Sequence, residues 1–135
     1  MDSRGEGTIV PALETARTIC GFFQGRKGVV AVQNGKAFAP HYYDGDFDPK
    51  WLAERHLNGL RCLGFYLCDE NWNVSCSCVD IDNHDNDNPE WKDHANRTYE
   101  LLVQLGITPV VELTQSGSGA HIWIFFEEPV HASES

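Results

Sequence analysis

Three stretches of the chain have the residue spacing of a helix, which places the members of each set on one helix face. The three faces are Leu13, Ala16, Ile19 and Cys20; Trp51, Leu52, Arg55 and His56, ended by Asn58-Gly59; and Trp91, Ala95, Thr98, Leu102 and Leu105. Residues 1–10 ahead of the first helix are small and polar, so we expect a flexible terminus there. The third helix has the clearest limits, because Asn88 is a good N-cap before Pro89 and Gly106 ends the run.

Other stretches are rich in β-branched residues or alternate between apolar and polar residues, as strands do. They cover residues 28–33, 36–40, 61–68, 73–82, 110–114 and 121–126. Asn34-Gly35 is a favoured pair for a type I′ hairpin turn between the first two strands. We also expect the polar residues 69–72 to form the turn of a second hairpin, between the third and fourth strands. Helices and strands together predict an α/β (α+β) protein.

Composition narrows the class of protein. A length of 135 residues and a hydrophobic fraction of 41% fit one compact folded domain. No apolar run is long enough for a membrane span, so no membrane partner is expected.

The net charge of -10 counts against autonomous binding of DNA, because proteins that hold phosphates are usually basic. The five cysteines form no Cys-x-x-Cys pair, so we expect free thiols, no zinc site and a cytoplasmic location.

Two carboxylates stand at the end of the fourth strand. Asp80 and Asp82 share a face because side chains alternate in a strand, and Val79 and Ile81 are then directed to the core. Carboxylates this close repel each other, and a hard divalent cation such as Mg²⁺ or Mn²⁺ relieves the repulsion. The alternative is a solvated acidic turn that continues through residues 83–87, and for an isolated Asp-x-Asp that alternative is the better one.

His121 begins the last strand and shares a face with Trp123 and Phe125. A lone histidine at a strand start is more often a structural hydrogen-bonding group than a catalyst. Here it follows the Ser-Gly-rich turn of residues 116–120, whose amides and hydroxyls could receive phosphate oxygens. The turn therefore favours a phosphate-binding interpretation of His121.

The acidic strand end and the Ser-Gly-His segment, together with three further motifs, match the sequence pattern of a known family. They are Asp80-Ile-Asp82, Val111-Glu-Leu-Thr-Gln-Ser116-Gly-Ser-Gly-Ala-His121-Ile-Trp, Phe23-Gln-Gly25-Arg26, His56-Leu-Asn-Gly59 and Leu63-Gly64-Phe65-Tyr66. The pattern resembles the archaeo-eukaryotic primase superfamily and, more closely, the primase module of TOTE conflict systems, over roughly residues 20–130. The resemblance implies a single domain over residues 11–135, in which a small N-terminal α/β unit, about 11–60, precedes a partial RRM-like catalytic core, about 61–130.

The resemblance also implies roles for particular residues. It makes Asp80 and Asp82 the ligands of Mg²⁺ or Mn²⁺ and places both, with His121, among the catalytic residues. The residues that it assigns to nucleotide binding are Ser116, Gly117, Ser118, Gly119, His121, Arg26 and His56. Apart from the resemblance, Arg26 is a surface charge and His56 a cap at a helix C-terminus.

The implied function is that of a DNA primase/polymerase-type nucleotidyltransferase, which binds nucleotide triphosphates and a DNA template and has a helicase or nuclease partner supplied in trans. The superfamily carries a third acidic motif on a later strand, and we expect this chain to end before it. One alternative is therefore a catalytically incomplete primase-like subunit for binding or assembly. Another is a metal-dependent phosphoesterase that uses Asp80, Asp82 and His84.

Overall fold

The computed structural model of the chain describes residues 6–135, with side chains from residue 12 onward. The elements are α1 (Glu6–Phe22), β1 (Val29–Asn34), β2 (Ala37–Tyr42), α2 (Pro49–Leu52), a π-helical turn (Ala53–Leu57), β3 (Leu63–Gly64), β4 (Asn73–Ile81), α3 (Trp91–Gln104), β5 (Val110–Leu113) and β6 (Ala120–His131). A short 3₁₀ turn lies between β4 and α3 at His84–Asn86, and another lies after β6 at Ala132–Glu134. The mixture of helices and antiparallel strand pairs confirms the predicted α+β class.

The chain folds as two compact units, one formed by residues up to Ser75 together with Pro129–Ser135 and the other by Cys76–Glu128. The sequence analysis placed its internal division earlier, at about residue 60. Helix α1 begins at Glu6, ahead of its predicted start, and the rest of the predicted flexible terminus lies outside the described residues. No helix within residues 6–135 is long and apolar enough to cross a membrane.

The first unit contains a sheet in the order β2-β1-β3. The predicted hairpin of β1 and β2 is confirmed, with Asn34 opposite Ala37 and Gly35 at φ +64° in the turn. Ala16 of α1 is buried against Leu52 and Ala53, and partly buried hydrophobic residues, among them Phe47 and Phe65, pack around them. This core combines the first two predicted helices.

The second predicted hairpin is wrong. Strand β3 is only Leu63–Gly64, and it pairs with β1 rather than with β4. Asp69 does turn the chain, since its Oδ1 accepts the amide hydrogens of Asn71 and Asn73 at 2.8 and 2.9 Å. The hairpin does not form because the segment after α1 bonds to the residues that would have paired. Arg26 N donates to Tyr66 O, and Ser75 Oγ donates to Gln24 O, both at 2.8 Å.

The second unit holds a sheet in the order β4-β6-β5, with β6 in the centre. Strands β5 and β6 are antiparallel, and their register places Glu112 opposite His121. The core consists of Ile81, Trp91, Ala95, Ala120 and Ile122, with Leu102 packed against it. Helix α3 therefore covers one face of this sheet.

Three details of the second unit differ from prediction. Helix α3 begins at Trp91 with Glu90 as N-cap. Asn88 is instead tied to the strand exit, since its Nδ2 donates to Asp82 O at 3.0 Å. Val79 is 37% exposed and Leu105 is 75% exposed, so neither belongs to the core.

Candidate functional site

The two carboxylates at the end of β4 are both exposed, and each faces a different histidine. Asp80 Oδ1 lies 3.5 Å from Nε2 of His121, and Asp82 Oδ2 lies 3.2 Å from Nε2 of His84. Ile81 between them is buried in the core of the second unit. Burial of Ile81 fixes the strand end, so the two aspartates are held at the surface on either side of it.

His121 lies at the centre of the site because β6 is the central strand. While Nε2 faces Asp80, its Nδ1 lies 3.3 Å from Oε2 of Glu112 on β5. The same Glu112 oxygen accepts a hydrogen bond from Trp123 Nε1 at 2.7 Å. One carboxylate therefore positions both the histidine and the tryptophan of this sheet face.

Glu112 was missed by the sequence analysis. It stands between Val111 and Leu113 in a four-residue strand, where a polar residue is expected simply to face solvent. The usable signal is the register, since Glu112 pairs with His121 across the sheet and lies diagonal to Trp123. Register is not visible in the sequence until the pairing of the strands is known.

The loop between β5 and β6 carries a chain of hydroxyl groups. Thr114 Oγ1 lies 3.2 Å from Ser116 Oγ, which lies 3.0 Å from Ser118 Oγ. Gly117 has φ +73°, a value that favours glycine, and the amide of Thr114 donates to Gly119 O at 3.1 Å to close the loop. The loop is thus a closed turn lined with rotatable donors.

This loop touches the strand that bears the aspartates. A Cβ added at Gly119 would lie only 2.7 Å from the carbonyl oxygen of Ile81. Ile81 is the residue between Asp80 and Asp82, so the end of the loop rests against the backbone of the acidic strand end. Glycine is required at this position because every larger residue would push the loop and β4 apart.

The pKa of the Cys78 thiol reflects the negative charge on the sheet face that carries Asp80 and Glu112. Burial, together with the negative charges of Asp80 and Glu112 and the neighbouring Cys76, raises the pKa of Cys78 to about 11. All five cysteines are free, as predicted. The face therefore combines partial desolvation with concentrated negative charge, an environment that attracts cations.

The donor set fits a hard cation only in part. Among the residues with described side chains, no group of three or more His, Cys, Asp or Glu side chains is placed to hold a metal ion. Asp80 and Asp82 nevertheless offer carboxylate oxygens, and Mg²⁺ is commonly held by one or two carboxylates while waters and substrate phosphates fill its other positions. The two aspartates match that mode and do not form a preformed protein cage.

The structure brings Asp80, Asp82, His121 and the loop of residues 116–119 together in the second unit. Arg26 and His56 belong to the first unit. Arg26 is exposed and lines a cavity of about 270 Å³ between the end of α1 and the Phe65-Tyr66 segment. His56 Nδ1 lies 3.2 Å from Arg61 O and 3.3 Å from Leu63 N, so this ring organises the chain that follows the π-helical turn.

Comparison with known families shows the family of the chain. The sequence model described as the archaeo-eukaryotic primase domain of TOTE conflict systems matches residues 17–135, which is most of the chain. The chain belongs to this primase family. Among curated proteins, none matches the sequence. Membership confirms the predicted resemblance.

Membership of this family supports a primase-like nucleotidyltransferase function for the chain, at the level of the family. Domains of this superfamily generally use divalent metals. The matched range includes the acidic strand end, His121 and the Ser-Gly loop, as well as Arg26 and His56.

Proposed function

We propose that this primase-family domain is a metal-dependent nucleotidyltransferase module that binds a nucleotide triphosphate in its second unit and acts on a nucleic-acid template. The observation that carries the proposal is the contact of Gly119 with the backbone of Ile81. It sets a loop rich in hydroxyl and amide donors directly beside Asp80 and Asp82. Phosphoryl transfer needs these two functions side by side, because the triphosphate must be held in line while its charge is neutralised.

Asp80 and Asp82 would hold Mg²⁺ or Mn²⁺ through their exposed carboxylate oxygens. A bound divalent cation supplies charge neutralisation and polarises the phosphorus–oxygen bonds of the triphosphate. The histidines face these carboxylates at 3.2 and 3.5 Å, and the side chains of both pairs are partly or largely exposed, so solvent screens the contacts. They are therefore weak enough to be exchanged for a cation.

Ser116 and Ser118 would bind phosphate oxygens through their hydroxyls and the loop amides. Their hydroxyl groups now contact each other at 3.0 Å, and each can rotate toward a ligand without moving the backbone. His121 reaches the same place from β6. With Nδ1 directed at Glu112, its Nε2, which now faces Asp80, is the nitrogen that would contact phosphate once Asp80 holds the cation.

The acidic balance of the chain shapes the proposal for its partners. A net charge of -10 opposes tight binding of a template by this domain alone. We therefore propose that a helicase or nuclease supplied in trans helps to hold the nucleic acid, and that the domain itself contributes nucleotide and metal binding.

The test is calorimetric titration of the chain with Mn²⁺ and a nucleotide triphosphate. Asp80→Asn combined with Asp82→Asn should abolish metal-dependent binding of the nucleotide. A matched control is Asp85→Asn with Asp87→Asn, which removes the same charge from the acidic turn that follows and should leave binding intact.

Equal loss in both double variants would contradict the proposed ligands, because it would reduce the effect to general negative charge. Absence of binding in the wild-type chain would favour the alternative of an assembly subunit that keeps the primase scaffold. A binding-competent chain should then extend a primer in the presence of template and partner, whereas a phosphoesterase would hydrolyse the nucleotide without extension.

A further inference from the structure

A cleft in the first unit carries features of a ligand site that the nucleotidyltransferase proposal does not use. It has a volume of about 350 Å³ and lies between the β1–β2 hairpin and the second helical segment. Its polar and aromatic lining is Gln33, Asn34, His41, Trp51, Arg55 and Arg61. Among the described residues that line it, none is acidic.

Aromatic rings and a guanidinium are stacked at one side of the cleft. The rings of His41 and Trp51 are parallel to within 9°, with centroids 5.3 Å apart. The guanidinium of Arg55 lies 5.0 Å from the centroid of the Trp51 ring. Such a stack holds Arg55 in a fixed orientation by a cation–π contact, while the N–H groups at its edge remain able to donate. His41 is itself exposed and offers a flat surface for a further ring.

The second arginine is held beside the first by backbone contacts. Arg61 N donates to Arg55 O at 2.8 Å, so the chain returns to the helix end after the turn at Asn58-Gly59. The ring of His56 supports this return, since Nδ1 contacts Arg61 O and Leu63 N. His56 therefore fixes the backbone position of Arg61. This gives a structural role to a residue that belongs to the family pattern.

Charge makes this cleft unusual in an acidic chain. Among the described residues neither Arg55 nor Arg61 forms a salt bridge with a carboxylate. The nearest acidic residue along the chain, Glu54, is paired with Lys50 at 3.8 Å. Two exposed guanidinium groups without a carboxylate partner, in a chain of net charge -10, form a local positive site.

We propose that this cleft binds single-stranded nucleic acid, with phosphates on Arg55 and Arg61 and a base stacked on His41. Guanidinium groups match phosphate geometry with paired donors, and aromatic faces accept bases of any sequence. Gln33 and Asn34 at the hairpin turn add amide groups that can meet a base edge. Both arginines line the cleft and are exposed, so a strand can continue beyond the bound nucleotide unit.

The proposal is independent of the nucleotidyltransferase site, and the assay keeps it so. Fluorescence anisotropy of a labelled oligothymidylate is measured at low salt with EDTA and without nucleotide triphosphate. Arg55→Gln and Arg61→Gln should each weaken binding about tenfold, since each removes one charged hydrogen-bond donor. Each should also reduce the slope of log K against log salt by about 0.7, the value for one phosphate of a single strand.

Arg97→Gln is the matched control, because Arg97 on α3 is also exposed and its loss changes the net charge by the same amount. It should leave binding within about twofold at the higher salt concentrations of the titration, because Arg97 does not line the cleft and salt screens charges that make no direct contact with the strand. The indole N–H signal of Trp51, assigned with Trp51→Phe, should shift on titration, whereas that of the buried Trp91 should not.

Three results would overturn the proposal: no binding by the wild-type chain at low salt, an Arg97→Gln loss equal to that of Arg55→Gln, or thymidine monophosphate binding as tightly as the oligonucleotide. The last result would identify a mononucleotide pocket instead of a strand-binding cleft. Circular dichroism of each variant separates lost binding from lost folding, and exposed arginines are replaced by glutamine so that the fold is retained.

Discussion

Replacing Glu112 tests whether the site is held together by the acceptor that sequence reasoning missed. Glu112→Ala removes the oxygen that accepts from Trp123 Nε1 at 2.7 Å and faces His121 Nδ1 at 3.3 Å. Glu112→Gln removes the negative charge but keeps a carbonyl oxygen that can occupy the same place. The pair of variants therefore separates hydrogen-bond geometry from charge.

The size of the effect follows from the contacts. A hydrogen bond to a charged group contributes about 1.5–3 kcal/mol when shielded from water. The Glu112 side chain is 55% exposed and that of His121 is 32% exposed, so solvent screening reduces both contributions. We expect Glu112→Ala to lower the free energy of unfolding by about 1–2 kcal/mol, mostly from the shorter bond to Trp123. Glu112→Gln should cost less than about half of that.

Thermal unfolding measures the loss of stability, and NMR of the indole N–H groups measures the loss of the hydrogen bond to Trp123. For a chain of 135 residues, each kcal/mol lost lowers the unfolding midpoint by about 3–5 °C. The indole N–H of Trp123 should move toward the position of a solvent-bonded indole in Glu112→Ala and stay near the wild-type position in Glu112→Gln. Nucleotide affinity should follow the same order, because His121 loses the partner that directs Nε2 to the ligand side.

Two outcomes would refute the reasoning. If Glu112→Ala and Glu112→Gln lower the midpoint equally, charge and not the acceptor position holds the face together. If neither variant changes the midpoint or the indole signal, these contacts carry no energy in solution and Glu112 is an ordinary surface residue.

Two further predictions concern the loop and the turn. Gly119→Ala should lower stability by about 1–3 kcal/mol and weaken nucleotide binding, because the new methyl would lie 2.7 Å from Ile81 O, whereas Gly21→Ala, with nothing within 4 Å, should do neither. Backbone hydrogen bonds from Asn73 and Asn71 lower the pKa of Asp69. Its stabilising contribution is therefore present above the unfolded-state value of 3.8 and is lost as pH falls through the lower folded-state value. Melting curves should show a smaller acid-induced loss for Asp69→Asn than for the wild type; an equal loss would contradict this assignment.

Much of the second unit was predictable because its signals are local. The Asp-x-Asp strand end, the Ser-Gly turn and the apolar face of α3 each depend on residues close in sequence. The β5–β6 connection is short, so its pairing follows from its turn. Family resemblance then supplied roles that spacing alone leaves open.

The errors arose where distant segments compete for one partner. The stretch of residues 61–68 has strand composition, but its pairing is decided by β1 and by the segment after α1, which lies some forty residues earlier. Asn88 has the composition of an N-cap, yet its side chain serves Asp82 O instead. Propensity identifies what a segment can do, and the tertiary partner decides which option is used.

The position of His121 shows why loop length governs the chemistry of this face. Its neighbour Ile122 is fully buried in the core, and side chains alternate along a strand. A slip of one residue in β6 would turn the histidine into that core and expose the isoleucine between Asp80 and Glu112. The bond from Thr114 N to Gly119 O fixes the register at the loop, and Gly119 permits the close approach to Ile81 that brings β4 into line. The Ser-Gly sequence therefore acts as the spacer that keeps the histidine on the acidic face, and the same loop carries the hydroxyl and amide groups that we propose as phosphate donors.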